Sequence, residues 1–146
     1  VNDIRVAIGA DDRGPLTDAL LAELERRGAR IERFGAIAGG STAWADIGRA
    51  VGEAVATGRA DAGIVCCWTG TGVAIAANKV AGARAALCAD AVTAAGARRW
   101  NDANVLALSL RLTTPAVGLE ILAAFFATPA SDDPAERAEF AKLTGP

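Results

Sequence analysis

The chain contains no histidine. That absence removes the commonest acid–base group near neutral pH and the commonest metal ligand. Cysteine is scarce: Cys66, Cys67 and Cys88 are an odd number with no Cys-x-x-Cys pair. A disulfide framework is therefore not expected, and a reducing cytosol is the easier home. A zinc site would have to gather three scattered thiols and a carboxylate, so neither a metal nor another cofactor is expected. No block of Lys or Arg accompanies the formal net charge of −2, so neither nucleic acid nor an acidic membrane is a natural partner. No apolar run approaches the length of a bilayer span. The sequence enters a strand pattern at once, which reads as a chain without a signal peptide. Internal repeats and linkers are missing as well.

What remains is a globular composition. Apolar residues make up 52% and charged residues 22% of 146 residues, enough for one domain with a developed core. Strand-like runs are predicted at Ile4 to Ile8, Ala29 to Phe34, Asp61 to Cys67, Ala83 to Cys88 and Val105 to Leu110. Between them lie helical patterns. Pro15 suits the first turn of one, with Leu16, Leu20, Leu21 and Leu24 on its apolar face and Gly28 at its end. Others are predicted over Trp44 to Thr57, Ala91 to Arg99, Pro115 to Ala127 and Ala135 to Leu143. This alternation predicts a three-layer α/β/α sandwich around a five-stranded parallel, Rossmann-like sheet, as one domain over residues 1–146. Ligands of such sheets bind beyond the carboxyl ends of the strands. Asp11, Cys67, Asp90 and Arg111 each follow or close a strand, so they are expected along one sheet edge.

One segment combines a nucleophile with an anion cradle. Ala62 to Cys67 ends in a thiol, Trp68-Thr69-Gly70-Thr71-Gly72 forms a Gly/Thr loop, and small residues suited to a helix start follow. Backbone N–H groups of such a loop can face an anion, and a helix N-terminus adds positive potential that suits a reactive thiol. On residue physics alone Cys67 also fits a small buried apolar side chain, and the loop an ordinary strand–helix turn. Cys66, one residue earlier, alternates to the other face and reads as core. Asp11 fits a helix cap as well as a site. Asn101 and Asp102 fit turn formers. Arg98 and Arg99 fit a solvated helix end.

The motifs Ile8-Gly9-Ala10-Asp11 with Gly14, Cys67-x-Thr69-Gly70-x-Gly72, Ile75-Ala76-Ala77-Asn78-Lys79, Arg84 to Cys88 and Asn101-Asp102-Ala103-Asn104-Val105-Leu106 together resemble the type B ribose-5-phosphate isomerase and galactose-6-phosphate isomerase family. The resemblance runs from Ile4 to about Arg137. It implies a metal-independent aldose–ketose isomerase that acts on a sugar or sugar phosphate through a cis-enediolate. It implies Cys67 as the base moving a proton between C1 and C2, because Val73 stands where another branch carries a glutamate. It implies Thr69, Gly70, Thr71 and Gly72 as the enediolate cradle, with Asp11, Asn101, Arg111 and Arg137 binding substrate. It also implies a homodimer or homotetramer whose sites borrow residues from a neighbouring subunit, with the terminal helix packing on that partner.

The departures are equally specific. Asp12 and Trp100 stand where the family carries histidines, which makes Asp12 the candidate acid–base for ring opening and Trp100 a candidate substrate contact. Asp132-Asp133-Pro134-Ala135 replaces a Gly-Gly-Arg-His segment. Trp68 replaces a glycine after the thiol, and Trp44 stands for an aromatic of the second loop. Fewer cations and more carboxylates weaken a phosphate site, while added tryptophans suit stacking on a sugar face. Ribose 5-phosphate is therefore expected to be a poor substrate. The alternative reading is a non-catalytic or partner-dependent subunit that binds a sugar ligand.

Overall fold

Five strands pair in parallel in the computed structural model, which describes residues 3–143. They are β1 (Arg5–Ala10), β2 (Arg30–Gly35), β3 (Ala62–Cys67), β4 (Ala85–Leu87) and β5 (Val105–Ser109), in the order β2-β1-β3-β5-β4. Every residue of β3 and β5 is buried. Strands covered on both faces need such continuous apolar runs rather than alternation. β2 lies at an edge and carries Arg30, Glu32 and Arg33, charges that discourage pairing with another chain.

Among the described residues six helices cover the sheet: α1 (Pro15–Arg26), α2 (Trp44–Ala56), α3 (Thr71–Asn78), α4 (Ala91–Asn101), α5 (Pro115–Ala127) and α6 (Pro134–Ala141). One core joins Leu20 and Leu24 of α1, Ala94 of α4 and Ile121 and Leu122 of α5 to Ile8, Ile64 and Leu106 of the sheet. The other joins Val51 of α2 and Val73 and Ala77 of α3 to Ala7, Val65 and Ala107. Fully buried Ile64 and Leu106 each contribute roughly 1.5–3 kcal/mol by leaving water. The pleat sends Cys66 into the first core and Cys67 into the second, as the alternation predicts.

The expected sandwich and parallel sheet are present; the differences are at element ends. β4 is shorter than the predicted Ala83 to Cys88. The Arg84 amide is engaged by the side-chain oxygen of Asn104 at 2.7 Å, and the strand starts one residue later. Arg98 is not a solvated helix end. Its guanidinium pairs with Asp102 at 3.2 Å, donates to the Thr128 and Ala103 carbonyls, and lies 5.6 Å from the centre of the Phe125 ring. Asp11 does not cap α1, whose N-cap is Gly14. Asp133 caps α6 by accepting from the Ala135 and Glu136 amides at 2.9 and 3.1 Å. Its charge is thus committed to a helix start, where it is favourable. None of the residues of α6 is buried.

Candidate active site

The strand order reverses its progression between β1 and β3. α1 leaves β1 on one face of the sheet, while α2 returns to β3 on the other. Such a switch opens a crevice beyond the strand ends. Asp11 follows β1 and Cys67 closes β3, and the Asp11 amide donates to the Cys66 carbonyl at 3.3 Å. The two functional groups are therefore neighbours because two adjacent parallel strands end together.

Cys67 lines a cavity of about 430 Å3 with Asp11, Trp44, Trp68, Thr69, Thr71, Gly72 and Ile75. This volume suits a small ligand. Cys67 is only 5% exposed and packs in the core beneath α2 and α3. Its carbonyl accepts from the Leu110 amide at 2.9 Å, which fixes the end of β3 against β5. Beyond it, Gly70 turns the chain with φ of 77°, the left-handed conformation that favours glycine. A Cβ there would lie 2.8 Å from the backbone carbon of Leu108, so glycine is needed for space as well. α3 then starts without a side-chain cap. The amides of its first turn are the groups that a helix leaves without intrahelical partners. The Thr69 and Thr71 hydroxyls lie 2.7 Å apart, within range for one to donate to the other.

A second cavity of about 390 Å3 adjoins the first and shares Asp11 and Trp68 with it; Asp12, Arg13 and Leu110 line it too. Asp12 is exposed and accepts from the Arg13 amide at 2.8 Å. Burial pushes the Asp11 carboxyl above its ordinary value; an amide contact opposes this and the neighbouring Asp12 adds to it. Burial likewise pushes the Cys66 thiol up to about 12 and the Cys88 thiol up to about 11. Neither is a serviceable nucleophile at neutral pH. Among the described residues no group of three His, Cys, Asp or Glu is arranged to hold a metal ion. No described helix is long and apolar enough to cross a membrane.

The site residues named from the sequence thus fall into two groups. Asp11, Asp12, Cys67, Thr69, Gly70, Thr71 and Gly72 gather at the carboxyl edge of the sheet. Arg111 stands at the same edge, its amide donating to the Trp68 carbonyl at 3.0 Å and its side chain exposed. Trp100 and Asn101 close α4 at the amino edge, beside Arg84 and the start of β4. A six-residue strand separates those edges by roughly 17 Å. Trp100 therefore cannot stack on a ligand held by Arg111 of its own chain. Arg137 is exposed on α6, which follows a segment tied to α4 through the Ser131 amide and the Arg99 carbonyl at 2.9 Å.

Two participants were not legible as such. Ile75 lines the thiol cavity one turn into α3. Ser109 is buried, and its hydroxyl donates to the Trp68 carbonyl at 3.0 Å while accepting from the Leu112 amide at 3.1 Å. A lone hydroxyl closing the apolar run Val105-Leu106-Ala107-Leu108 is the signal that points to such a clamp.

Known proteins resemble this chain in sequence and in fold. A model of the Ribose/Galactose Isomerase family matches residues 6–143. Ribose-5-phosphate isomerase B of Escherichia coli K12 is 39% identical over 118 residues, covering 80% of this chain and 76% of that one. D-erythrulose-4-phosphate isomerase of Pectobacterium atrosepticum is 34% identical over 124 residues, covering 84% and 82%. The structure of the type B ribose 5-phosphate isomerase of Trypanosoma brucei superposes with a TM-score of 0.88 at 38% identity, covering 97% of each chain. With a thiol at the switch point, a Gly/Thr loop behind it and a match over nearly its whole length, the chain belongs to the ribose/galactose isomerase family of sugar-phosphate isomerases.

Proposed function

We propose that the protein is a metal-independent aldose–ketose isomerase in which Cys67 is the base. The observation that carries this reading is that Cys67 lines a 430 Å3 cavity together with Asp11, Thr69, Thr71 and Gly72. The thiolate takes the proton from C2 of an open-chain aldose. The C–H electron pair forms the C1–C2 double bond, and the carbonyl pair moves onto O1 as an oxyanion. Amides of the loop and of the first turn of α3 hold the cis-enediolate oxygens. The Thr69–Thr71 hydroxyl pair passes the O2 proton to O1. The carbonyl re-forms at C2 and the thiol returns its proton to C1, giving the ketose and restoring the thiolate. Asp12, exposed at the adjoining cavity, takes the anomeric proton when a cyclic substrate opens.

The site is completed in a homodimer or larger homo-oligomer. Trp100 and Asn101, at the amino edge, lie too far from Cys67 of their own chain, and together with Arg137 on the exposed α6 they act on the site of a second copy. The exposed α6 supports such packing. The test is an isomerisation screen of phosphorylated and free tetroses, pentoses and hexoses, with Cys67→Ala beside the wild-type protein. Conversion of at least one aldose, lost in the variant, is expected. Conversion of none, or full conversion by the variant, overturns the reading.

A further inference from the structure

The end of α4 is held in a conformation that an aspartate adopts under strain. Asp102 follows the helix with φ of 47° and ψ of 43°, the left-handed region. Among the described residues only Asp3 shares a positive φ without being glycine. Glycine is the usual residue at such a helix end, because a Cβ is crowded there. Strain of this kind persists where the surroundings impose it, and an observed outlier points toward a use.

The surroundings here are a bridge of charges. One carboxylate oxygen of Asp102 lies 3.2 Å from Arg98 Nη1, and the other lies 3.2 Å from Arg84 Nη2. The Asp102 carbonyl accepts from Arg84 Nε at 2.7 Å. Both guanidinium side chains are largely buried, and the carboxylate between them offsets the repulsion of two cations brought out of water. Arg98 also donates to the Thr128 carbonyl at the end of α5, and the Asn104 side chain accepts from the Arg84 amide. Asp102 thus joins α4, the approach to β4 and the end of α5. The two residues just before it are nevertheless exposed: Trp100 is 52% exposed, and Asn101 is exposed as well. The Trp100 ring lies back over Gly96, where an added Cβ would stand 2.8 Å from it. A large ring left in solvent suits a surface that another molecule covers. A clamped helix end beneath it removes beforehand the freedom that such a contact would otherwise have to remove.

We propose that Asp102 is a positioning residue: its bridge to Arg84 and Arg98 sets the left-handed end of α4 and so aims Trp100 and Asn101 at the site of a second copy. This rests on the isomerase reading with its shared site, and goes beyond it by naming the group that orients the contributed residues. The test uses the aldose that the screen identifies. Asp102→Gly keeps the left-handed turn, relieves its strain and deletes only the bridge. Were Asp102 a helix cap alone, this variant would match wild type. It should instead lose about a hundredfold in kcat/KM, the cost of a misplacement near 1 Å, with circular dichroism and sedimentation unchanged. Asp102→Asn, which keeps the shape and tolerates the turn, should lose less. Co-expression of Asp102→Gly with Cys67→Ala chains gives the readout that a merely structural role would not move. A site built from Cys67 of one copy and Asp102 of another is intact in about a quarter of a random mixture, so activity should return to about that fraction of wild type. Wild-type kinetics in Asp102→Gly, or a mixture that recovers no activity, overturns the proposal; the second would mean that Asp102 serves its own chain. If Asp102→Gly does not fold, Asp102→Asn takes its place in both comparisons. If wild type isomerises no aldose, or Cys67→Ala isomerises normally, the isomerase reading fails by itself and crosslinking decides. Ile75 lines the thiol cavity and is 60% exposed. A short bismaleimide added to the double variant Ile75→Cys, Asn101→Cys should give a covalent dimer joined through the two new thiols, and adding Asp102→Gly should abolish it. No covalent dimer, or an equal yield with Asp102→Gly, refutes the proposal.

Discussion

Gly70→Ala is the substitution whose consequences follow most directly from the geometry of the loop. Gly70 has φ of 77°, which costs an L-residue about 1–2 kcal/mol. The added Cβ would also lie 2.8 Å from the Leu108 carbonyl carbon, 2.9 Å from its oxygen and 2.6 Å from Leu87 Cδ1. Two of these three contacts are backbone of β5 and cannot swing away, so the loop must move. Overpacking of this kind costs about 1–3 kcal/mol more. Gly58 supplies the control, since it has the same φ of 77° and an added Cβ there would meet nothing within 4 Å, at the far end of the sheet. Gly58→Ala should therefore lose about 1–2 kcal/mol, and Gly70→Ala about 2–5 kcal/mol. Urea unfolding of the two variants isolates the collision as the difference between them. The same displacement moves the proposed enediolate cradle, and a shift near 1 Å costs about a hundredfold in rate. Gly70→Ala should thus lose at least that factor in kcat/KM while Gly58→Ala keeps wild-type turnover. Equal stability losses in both variants, or normal turnover by Gly70→Ala, would refute the reasoning.

Asp11 makes stability depend on pH in a definite sense. Burial raises its folded value above the unfolded one of about 4, so its contribution is fully present below that value and is lost as pH rises through the folded one. Asp11→Asn should therefore unfold at higher urea than wild type at pH 7 but not at pH 3; a less stable variant at pH 7 would contradict this. Alkylation by iodoacetamide at pH 8 should label Cys67 and spare Cys66 and Cys88, whose thiols burial pushes to about 12 and about 11; mass spectrometry of the digested protein reads the sites. Sedimentation at micromolar concentration should show at least a dimer, and a monomer that isomerises normally would refute the shared site.

The sandwich was legible because fully buried parallel strands announce themselves as apolar runs and the helices between them carry a periodic face. The thiol, the Gly/Thr loop and Asp11 were legible because each sits where a strand ends. Strand order was not, since nothing local in β4 says that it pairs outside β5 rather than beside β3. The separation of Trp100 and Asn101 from Cys67 became evident only when α4 was seen to run back to the amino edge. Arg98 misled for a related reason. A basic residue in the last turn of a helix suits water equally well, and only the packing of α4 against α5 brings Phe125 and the Thr128 carbonyl to it. Asp133 reads in sequence as repulsion toward an anion, yet its carboxylate is spent on the first amides of α6.

The central claim is that the Cys67 sulfur carries the proton between C1 and C2. The direct measurement follows deuterium entry at these carbons by NMR in D2O, using the aldose that the screen identifies, with wild type and Cys67→Ala compared at equal folded concentration. Wild type should return aldose labelled at C2 and ketose labelled at C1. Cys67→Ala, with its circular dichroism unchanged, should slow both label entry and isomerisation by roughly two to four orders of magnitude, the usual worth of a positioned base. Label entry at the wild-type rate in Cys67→Ala would contradict the account.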